Sequence, residues 1–244
     1  MTNDAKSDAS SAAAHPIAPV GGPAPGVDQT VPRVPAPKGG LRHHIAGIAL
    51  WIGGWKPIGD PPALDKYIIV AAPHTAWWDG FWMKAFAWWW GVRIQWLVKS
   101  GAAWGPFGVF LRSVGAIPVD RSGPQGLVGA MVRKFAEHPR LVVSIPAEGT
   151  RARRRYWKSG FYQMALQAKV PICLSLLDYG SGRGGFGPCF HPTGDVTADM
   201  DRIREFYRDA RGKVPDRFTP PRLREEDGAA ALPELTASSL EDAR

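Results

Sequence analysis

One short segment of the chain joins a potential base to an acid that could orient it. His74 follows a run of β-forming residues, and Asp79 lies five residues further on, at the expected start of a helix. A carboxylate bound to one nitrogen of an imidazole fixes the tautomer and makes the other nitrogen a better base toward a hydroxyl group. The pair therefore predicts general base catalysis, while a buried structural hydrogen bond is the alternative interpretation of the same two residues.

Charged residues follow three further apolar runs in the same way. The candidates are Lys99, Arg121, Glu148, Gly149, Thr150 and Arg151. Gly149 allows close backbone approach, and the planar fork of Arg151 suits a phosphate group. If the apolar runs are parallel strands, their carboxyl ends meet at one edge of the sheet and bring these side chains together. The spacing thus predicts an anion-binding site beside a base.

Short apolar runs alternate with helical patterns in the middle of the chain. Strands are predicted at Tyr67–Ala72, Ile94–Val98, Ala116–Val119, Leu141–Ile145 and Ile172–Leu177. Helices are predicted at Trp78–Trp90, Ala102–Arg112, Gln125–Glu137 and Gly160–Lys169. This alternation indicates an α/β fold, with a mostly parallel or mixed central sheet flanked by helices.

Composition divides the chain into three parts. Residues 1–40 are rich in Ala, Pro and Gly and contain no aromatic residue, which predicts a disordered tail. Residues 216–244 mix proline with acidic clusters, which predicts a flexible acidic tail. The domain between them, 41–215, holds 23 basic and 12 acidic residues. Such a cationic domain implies an anionic partner.

Two aromatic and apolar stretches indicate contact with a membrane surface. The segment Ile45–Trp55 follows a basic cluster and is shorter than the ~20 apolar residues of a spanning helix, so we expect an interfacial helix, with a core helix as the alternative. Seven of the 11 Trp lie between Trp77 and Trp96. We expect Trp78 and Trp82 in the core and part of Trp88–Trp90 facing outward, against a membrane or a second protein copy.

Other features of the sequence are given simpler interpretations. Cys173 and Cys189 are predicted to be core and turn thiols, which suits a reducing compartment. The basic run Arg151–Arg155 has no nucleic-acid module around it, so no nucleic-acid partner is expected. The glycine-rich segment Gly180–Gly185 is not followed by a helix, and we interpret it as a turn between strands.

Four motifs in order resemble those of the glycerolipid acyltransferases, and most closely those of the 1-acylglycerol-3-phosphate (lysophosphatidate) acyltransferases. The matching positions are His74 and Asp79; Gly115, Ile117 and Arg121; Glu148 to Arg151; and Val170 to Ile172. The resemblance covers residues 65–180. Two features depart from it. Pro73 stands beside the histidine and Ile145-Pro146-Ala147 before the glutamate, where the family often has other residues, and Ala152–Gly160 is shorter than the corresponding stretch of many members.

The resemblance implies direct acyl transfer without an acyl-enzyme. His74 would deprotonate the acceptor hydroxyl, oriented by Asp79, and the oxygen would attack the thioester of acyl-coenzyme A or acyl-carrier protein. The remaining residues would bind substrate: Arg121 and Arg151, with Lys99 behind them, would hold the acceptor phosphate, and Glu148 with Thr150 would help to position its glycerol. The acceptor would be a lysophospholipid, most closely 1-acylglycerol-3-phosphate, in phospholipid biosynthesis. No metal or other cofactor is implied, and the enzyme would be peripheral, at the cytoplasmic face of the cell membrane.

Two other classes of protein remain open at this point. A thioesterase would use the same His74–Asp79 pair on water and would release thiol without an acceptor. A non-enzymatic basic module would show salt-sensitive binding that does not depend on His74.

Overall fold

The computed structural model describes residues 39–99, 101, 104–113, 115–119 and 126–228. Six α-helices are α1 Leu41–Ile52, α2 Trp78–Trp89, α3 Gly105–Ser113, α4 Gly126–Glu137, α5 Gly160–Ala168 and α6 Val196–Tyr207. Seven strands are β1 Lys56–Ile58, β2 Lys66–Ala72, β3 Ile94–Lys99, β4 Ala116–Val119, β5 Leu141–Ile145, β6 Ile172–Asp178 and β7 Arg183–Phe190. Two short 3₁₀ helices follow, at Pro215–Arg217 and Arg224–Asp227.

The strands form one mixed sheet in the order β1-β7-β6-β2-β5-β3-β4. Strands β2 to β6 are parallel to one another, whereas β7 is antiparallel to β6 and β1 is parallel to β7. The predicted α/β fold is therefore confirmed. The five parallel strands point their carboxyl ends at the same edge of the sheet, which is the edge where ligands bind in such folds.

Strand β2 shows how the sheet separates two cores. Its side chains alternate between the faces, so Ile68 and Val70 join the core under α4 to α6, while Tyr67 and Ile69 join the core under α1 and α2. Both faces of the strand are thus covered. This explains why its sequence is an almost continuous apolar run rather than an alternating pattern.

Helix α1 lies on the surface of the domain against α2. Only Ala46 and Leu50 are buried, while the apolar side chains of the opposite face are exposed. These are Leu41, Ile45, Ile48, Trp51 and Ile52. An exposed apolar face fits the predicted interfacial helix better than a core helix. In the part of the chain that the structure describes, every helix is too short or too polar to cross a bilayer.

The prediction of a flexible tail from Asp216 is wrong over residues 216–228. Thr219 and Leu223 are completely buried, and Leu223 belongs to the core under α4 to α6. The acidic residues that suggested a solvated tail pair with arginines instead, Glu226 with Arg204 and Asp227 with Arg222. Residues 1–38 and 229–244, on which the rest of the tail predictions fall, lie outside the described residues.

The prediction that the two cysteines are free thiols is wrong. Cys173 on β6 and Cys189 on β7 are joined by a disulfide bond. The antiparallel register places them directly opposite each other, with Cα atoms 4.0 Å apart. The sequence separation gave no sign of this pairing, because it depends on the register of the hairpin. The argument from free thiols to a reducing compartment therefore no longer holds.

The tryptophans agree with the prediction only in part, since Trp82 packs against the core under α1 and α2 as expected. Trp88 and Trp89 are half-buried, because Arg42 covers the first ring and His43 stacks on the second at 4.3 Å, and Trp90 is buried. By contrast Trp78, expected in the core, is 58% exposed. Exposed aromatic surface thus lies at the start of α2 rather than at its end.

Candidate active site

The loop between β2 and α2 brings the predicted base and acid together. His74 follows the end of β2, and Asp79 lies in the first turn of α2. The Nδ1 atom of His74 lies 3.3 Å from Oδ2 of Asp79. The aspartate is buried, whereas the histidine side chain is 23% exposed and lines a cavity. The imidazole is therefore held from one side and accessible to a ligand from the other.

Both carboxylate oxygens of Asp79 are hydrogen-bonded. Oδ2 accepts bonds from the backbone N–H groups of Thr75, at 2.7 Å, and Ala76, at 2.8 Å. Oδ1 accepts a bond from the hydroxyl of Tyr179 at 2.8 Å. Burial alone would raise the pKa of Asp79, but the bonds from His74, Ala76 and Tyr179 together hold that pKa below its ordinary value. The carboxylate thus stays negative in a fixed orientation.

Tyr179 is a residue of this site that the sequence analysis missed. It directly follows β6, the neighbour of β2, and its ring packs edge-on against Trp55 at 4.9 Å between centroids. Burial and the bond to Asp79 raise its pKa, so the hydroxyl remains a donor. Its place after a parallel strand is the signal that could have found it, since the same rule selected His74 and Glu148.

Glu148 supports the histidine loop rather than facing the cavity. Its side chain is fully buried; Oε1 accepts the backbone N–H of His74 at 2.5 Å, and Oε2 accepts that of Thr219 at 3.1 Å. Burial raises the pKa of Glu148 to about 7, although the two N–H groups favour the charged form. The expected contact of Glu148 with the glycerol of an acceptor is not favoured by this geometry, because both oxygens are already taken by backbone donors.

Among the remaining residues of the same motif, Gly149 lines the cavity, whereas Thr150 and Arg151 do not. Gly149 has a positive φ of 69°, and a Cβ atom there would lie 2.7 Å from Cγ of Lys158, so glycine is required. Thr150 accepts a weak bond from the N–H of Ala152, at 3.3 Å. The guanidinium of Arg151 stacks on the ring of Trp77, 3.6 Å from its centroid. This contact holds Arg151 close to the start of α2.

The other predicted anion-binding residues are only partly placed. Lys99 ends β3 at the same edge of the sheet, but its side chain and the whole of Arg121 lie outside the described residues. Two cations that were not predicted lie at the site instead. Lys158 lines the cavity, and Nζ of Lys213 lies 5.7 Å from the ring centroid of Tyr179.

The cavity beside His74 has a volume of about 820 Å³. Most of its lining is apolar, and the strands β2, β3, β5, β6 and β7 and the helices α2 and α4 all contribute to it. The lining includes Ile69, Met83, Phe86, Trp90, Leu177 and Phe186. The size is that of a site for a small organic ligand, and the apolar walls suit a hydrocarbon chain. Across the described residues, no group of three or more His, Cys, Asp and Glu side chains could hold a metal ion.

Comparison with known proteins agrees with the class of protein that this site indicates. The family model described as Acyltransferase matches residues 60–173, a range that contains all four motifs. This match confirms the resemblance noted in the sequence at the level of an acyltransferase domain. A search of the curated proteins finds no match. Among solved structures, the 1-acyl-sn-glycerophosphate (LPA) acyltransferase PlsC from Thermotoga maritima aligns with a TM-score of 0.45 and 13% identity, over 78% of this chain and 80% of that one.

We predict that Glu148→Gln removes a pH-dependent part of the stability. Because the folded pKa is about 7 and the ordinary value is 4.5, the folded protein keeps a proton in this window that the unfolded chain has released. The stability that Glu148 contributes is fully present below pH 4.5 and is lost as the pH rises through about 7. The free energy of unfolding changes across this range with a slope of at most about 1.4 kcal/mol per pH unit. Urea unfolding of wild type and variant across this range measures the difference.

The exposed Glu137→Gln is the matched control and should show no such trend. The comparison of the two variants therefore isolates the contribution of Glu148. A difference in unfolding free energy between wild type and Glu148→Gln that stays constant with pH would contradict the buried, proton-holding carboxyl.

Proposed function

We propose that this protein is an O-acyltransferase that moves a fatty acyl group from acyl-coenzyme A or acyl-carrier protein to the free hydroxyl of a lysophospholipid, with 1-acylglycerol-3-phosphate as the favoured acceptor. The observation that carries the proposal is the His74–Asp79 pair on the wall of a large apolar cavity, within a domain of the acyltransferase family. Acyl transfer onto a lysophospholipid would be a step of phospholipid biosynthesis.

His74 acts as the general base in this mechanism. Its Nδ1–H donates to Asp79, which leaves Nε2 to accept the proton of the acceptor hydroxyl. The hydroxyl oxygen attacks the thioester carbonyl carbon and forms a tetrahedral intermediate. That intermediate collapses with cleavage of the carbon–sulfur bond, and the leaving thiolate takes the proton from the imidazolium. The products are the new ester and the free thiol.

The walls of the site support a place for each substrate in this proposal. The apolar lining, including Phe86, Trp90 and Phe186, would hold the acyl chain. Arg151, fixed on Trp77, would bind the acceptor phosphate together with Lys99 and Arg121. The thioester would then lie between the apolar cavity and the cations, beside His74.

The proposal predicts acceptor-dependent chemistry. Purified protein given palmitoyl-coenzyme A should release free coenzyme A when lysophosphatidate is added, and His74→Ala should lower that rate by about 10²- to 10⁴-fold because the base is lost. A thiol-reactive dye measures the release, and circular dichroism checks the fold. His191→Ala, at an exposed histidine before Pro192, is the matched control and should retain activity.

Two outcomes of this assay would contradict the proposal. Full activity of His74→Ala would remove the mechanism. Rapid release by the wild-type protein without any acceptor would identify a thioesterase, which uses the same pair on water.

We further propose that the enzyme is peripheral and binds the cytoplasmic face of the membrane. The exposed apolar side chains of α1 support this, since Ile45, Ile48 and Ile52 follow one helical face. The exposed Trp78 and Phe81 extend apolar surface to the start of α2, next to the histidine loop. A lipid acceptor could thus pass from the bilayer to His74 over a short distance.

Acidic substitutions on this face should weaken binding to lipid. We expect Ile48→Asp and Trp51→Asp each to lower partitioning into vesicles of phosphatidylglycerol and phosphatidylcholine by about tenfold or more, because each loses ~2 kcal/mol of apolar burial. Co-sedimentation measures the binding. Ala136→Asp, exposed on α4 across the sheet, is the matched control and should bind as wild type does. Unchanged vesicle binding of the α1 variants would contradict membrane contact through this face. Loss of a dimer in these variants would show that the face contacts protein.

A further inference from the structure

An exposed cluster of arginines lies beside the candidate active site without having a role in the mechanism. We define it as the arginine surface. Its members are Arg153, Arg154 and Arg155 of the loop before α5, and Arg217, Arg222 and Arg224 of the C-terminal segment. The two parts are bonded together, since Thr219 accepts the N–H of Arg154 and Arg222 accepts the N–H of Trp157 through its carbonyl.

The positive charge of this surface is only partly neutralised. Asp227 pairs with Arg222 and lies 4.0 Å from Arg155. In the described part of the chain, no acidic side chain forms an ion pair with Arg153, Arg154 or Arg217. Clustered like charges repel one another, so they cost stability unless a partner supplies the opposite charge. The surface therefore has the properties of a binding site for a polyanion.

Two connections join the arginine surface to the candidate active site. Thr219, which binds the loop of the surface, also donates its N–H to Glu148, and the other oxygen of Glu148 accepts the N–H of His74. In addition, Gly149 and Lys158, which flank the arginine loop, both line the cavity. A flexible arm anchored at the surface could therefore enter the cavity and reach His74.

The core beneath the arginine surface differs from the core beneath α1. Trp157 and Leu223, which adjoin the arginines in sequence, are buried in the core under α4 to α6. Leu50 of α1 and Phe86 of α2 belong to the core on the opposite face of the sheet. The arginine surface and α1 thus adjoin cores on different faces of the sheet, while Arg151, two residues before Arg153, stacks on Trp77 at the start of α2.

The surface also fits a protein better than a nucleotide. Its partly exposed ring is Tyr156, and three guanidinium groups already lie within about 6 Å of the centre of that ring. The Tyr156 hydroxyl donates to Asp227. Among the described residues of this surface, no other exposed ring could stack on a nucleotide base. Arginines from two separate chain segments instead form a broad site, which suits the acidic face of a protein.

We propose that the arginine surface docks an acidic carrier protein, whose thioester arm delivers the acyl group into the cavity. This inference rests on the proposed acyltransferase function and names the donor for it. Docking through several exposed charges speeds encounter and sets partner choice, and it weakens as salt screens the charges.

The test compares two donors that carry the same acyl group, palmitoyl-carrier protein and palmitoyl-coenzyme A, with lysophosphatidate as acceptor. The variant Arg153→Glu/Arg217→Glu reverses one charge in each part of the surface. The control Arg93→Glu/Lys169→Glu makes the same change of charge at exposed sites next to the amino ends of β3 and β6, the edge of the sheet away from His74. Thermal unfolding of both variants checks that the fold is kept.

We expect the Arg153→Glu/Arg217→Glu variant to lose about tenfold or more in kcat/KM with the carrier protein, through KM, and less than about threefold with coenzyme A. The control should match the wild type with both donors. Raising the salt concentration should lower the wild-type kcat/KM for the carrier protein more than that of the variant.

Several outcomes would overturn the inference. An equal loss with both donors would assign the surface to a group that they share, and an unchanged kcat/KM would leave it without a role in donor binding. Loss of vesicle binding in the same variant would make it a lipid site. If wild type uses coenzyme A but not the carrier protein, this inference fails while the proposed function stands; if neither donor supports transfer, the proposed function itself fails.

Discussion

The carboxylate of Asp79 is the interaction on which the rest of the site depends. It receives two backbone N–H groups of its own loop, the hydroxyl of Tyr179 after β6, and Nδ1 of His74. A buried carboxylate with so many donors is costly to move, because any lost bond leaves a desolvated charge. The sheet therefore fixes the imidazole through an acid that is itself fixed from two neighbouring strands.

A second buried acid extends this constraint to the C-terminal segment. Glu148 joins the N–H of His74 to that of Thr219, which lies in the segment that carries half of the arginine surface. The histidine loop and the proposed docking surface thus share one carboxylate. The Glu148 carboxyl does not face the substrate. It fixes the backbone of the loop that carries His74.

The parts of the structure that the sequence predicted are those governed by local pattern. The apolar runs at β2 and β5 could be recognised because both faces of these strands are covered, and the parallel arrangement then placed His74 and Glu148 at one edge. Helix α2 was also predicted, from its aromatic and apolar residues between two strands. Their bounds agree with the structure to within one or two residues.

The parts that were missed depend on contacts distant in sequence. The Cys173–Cys189 bond follows from hairpin register, and the burial of Leu223 follows from pairs such as Glu226 with Arg204, which no composition rule contains. The direction of the Glu148 side chain was likewise set by the backbone of Thr219, 71 residues away. A pattern selects the residue type for a site, but only packing decides which way the side chain turns.

The most direct test of the central interaction is the protonation state of the His74 ring, measured by nitrogen-15 NMR of histidine-labelled protein at a pH at which the ring is neutral. If Asp79 orients the base as described, the proton resides on Nδ1 and the chemical shift of Nε2 is that of an unprotonated nitrogen. Replacement of Asp79 by Asn should disturb that pattern. A neutral ring with its proton on Nε2 in the wild-type protein would contradict the account, since that nitrogen could not then accept a proton from an alcohol.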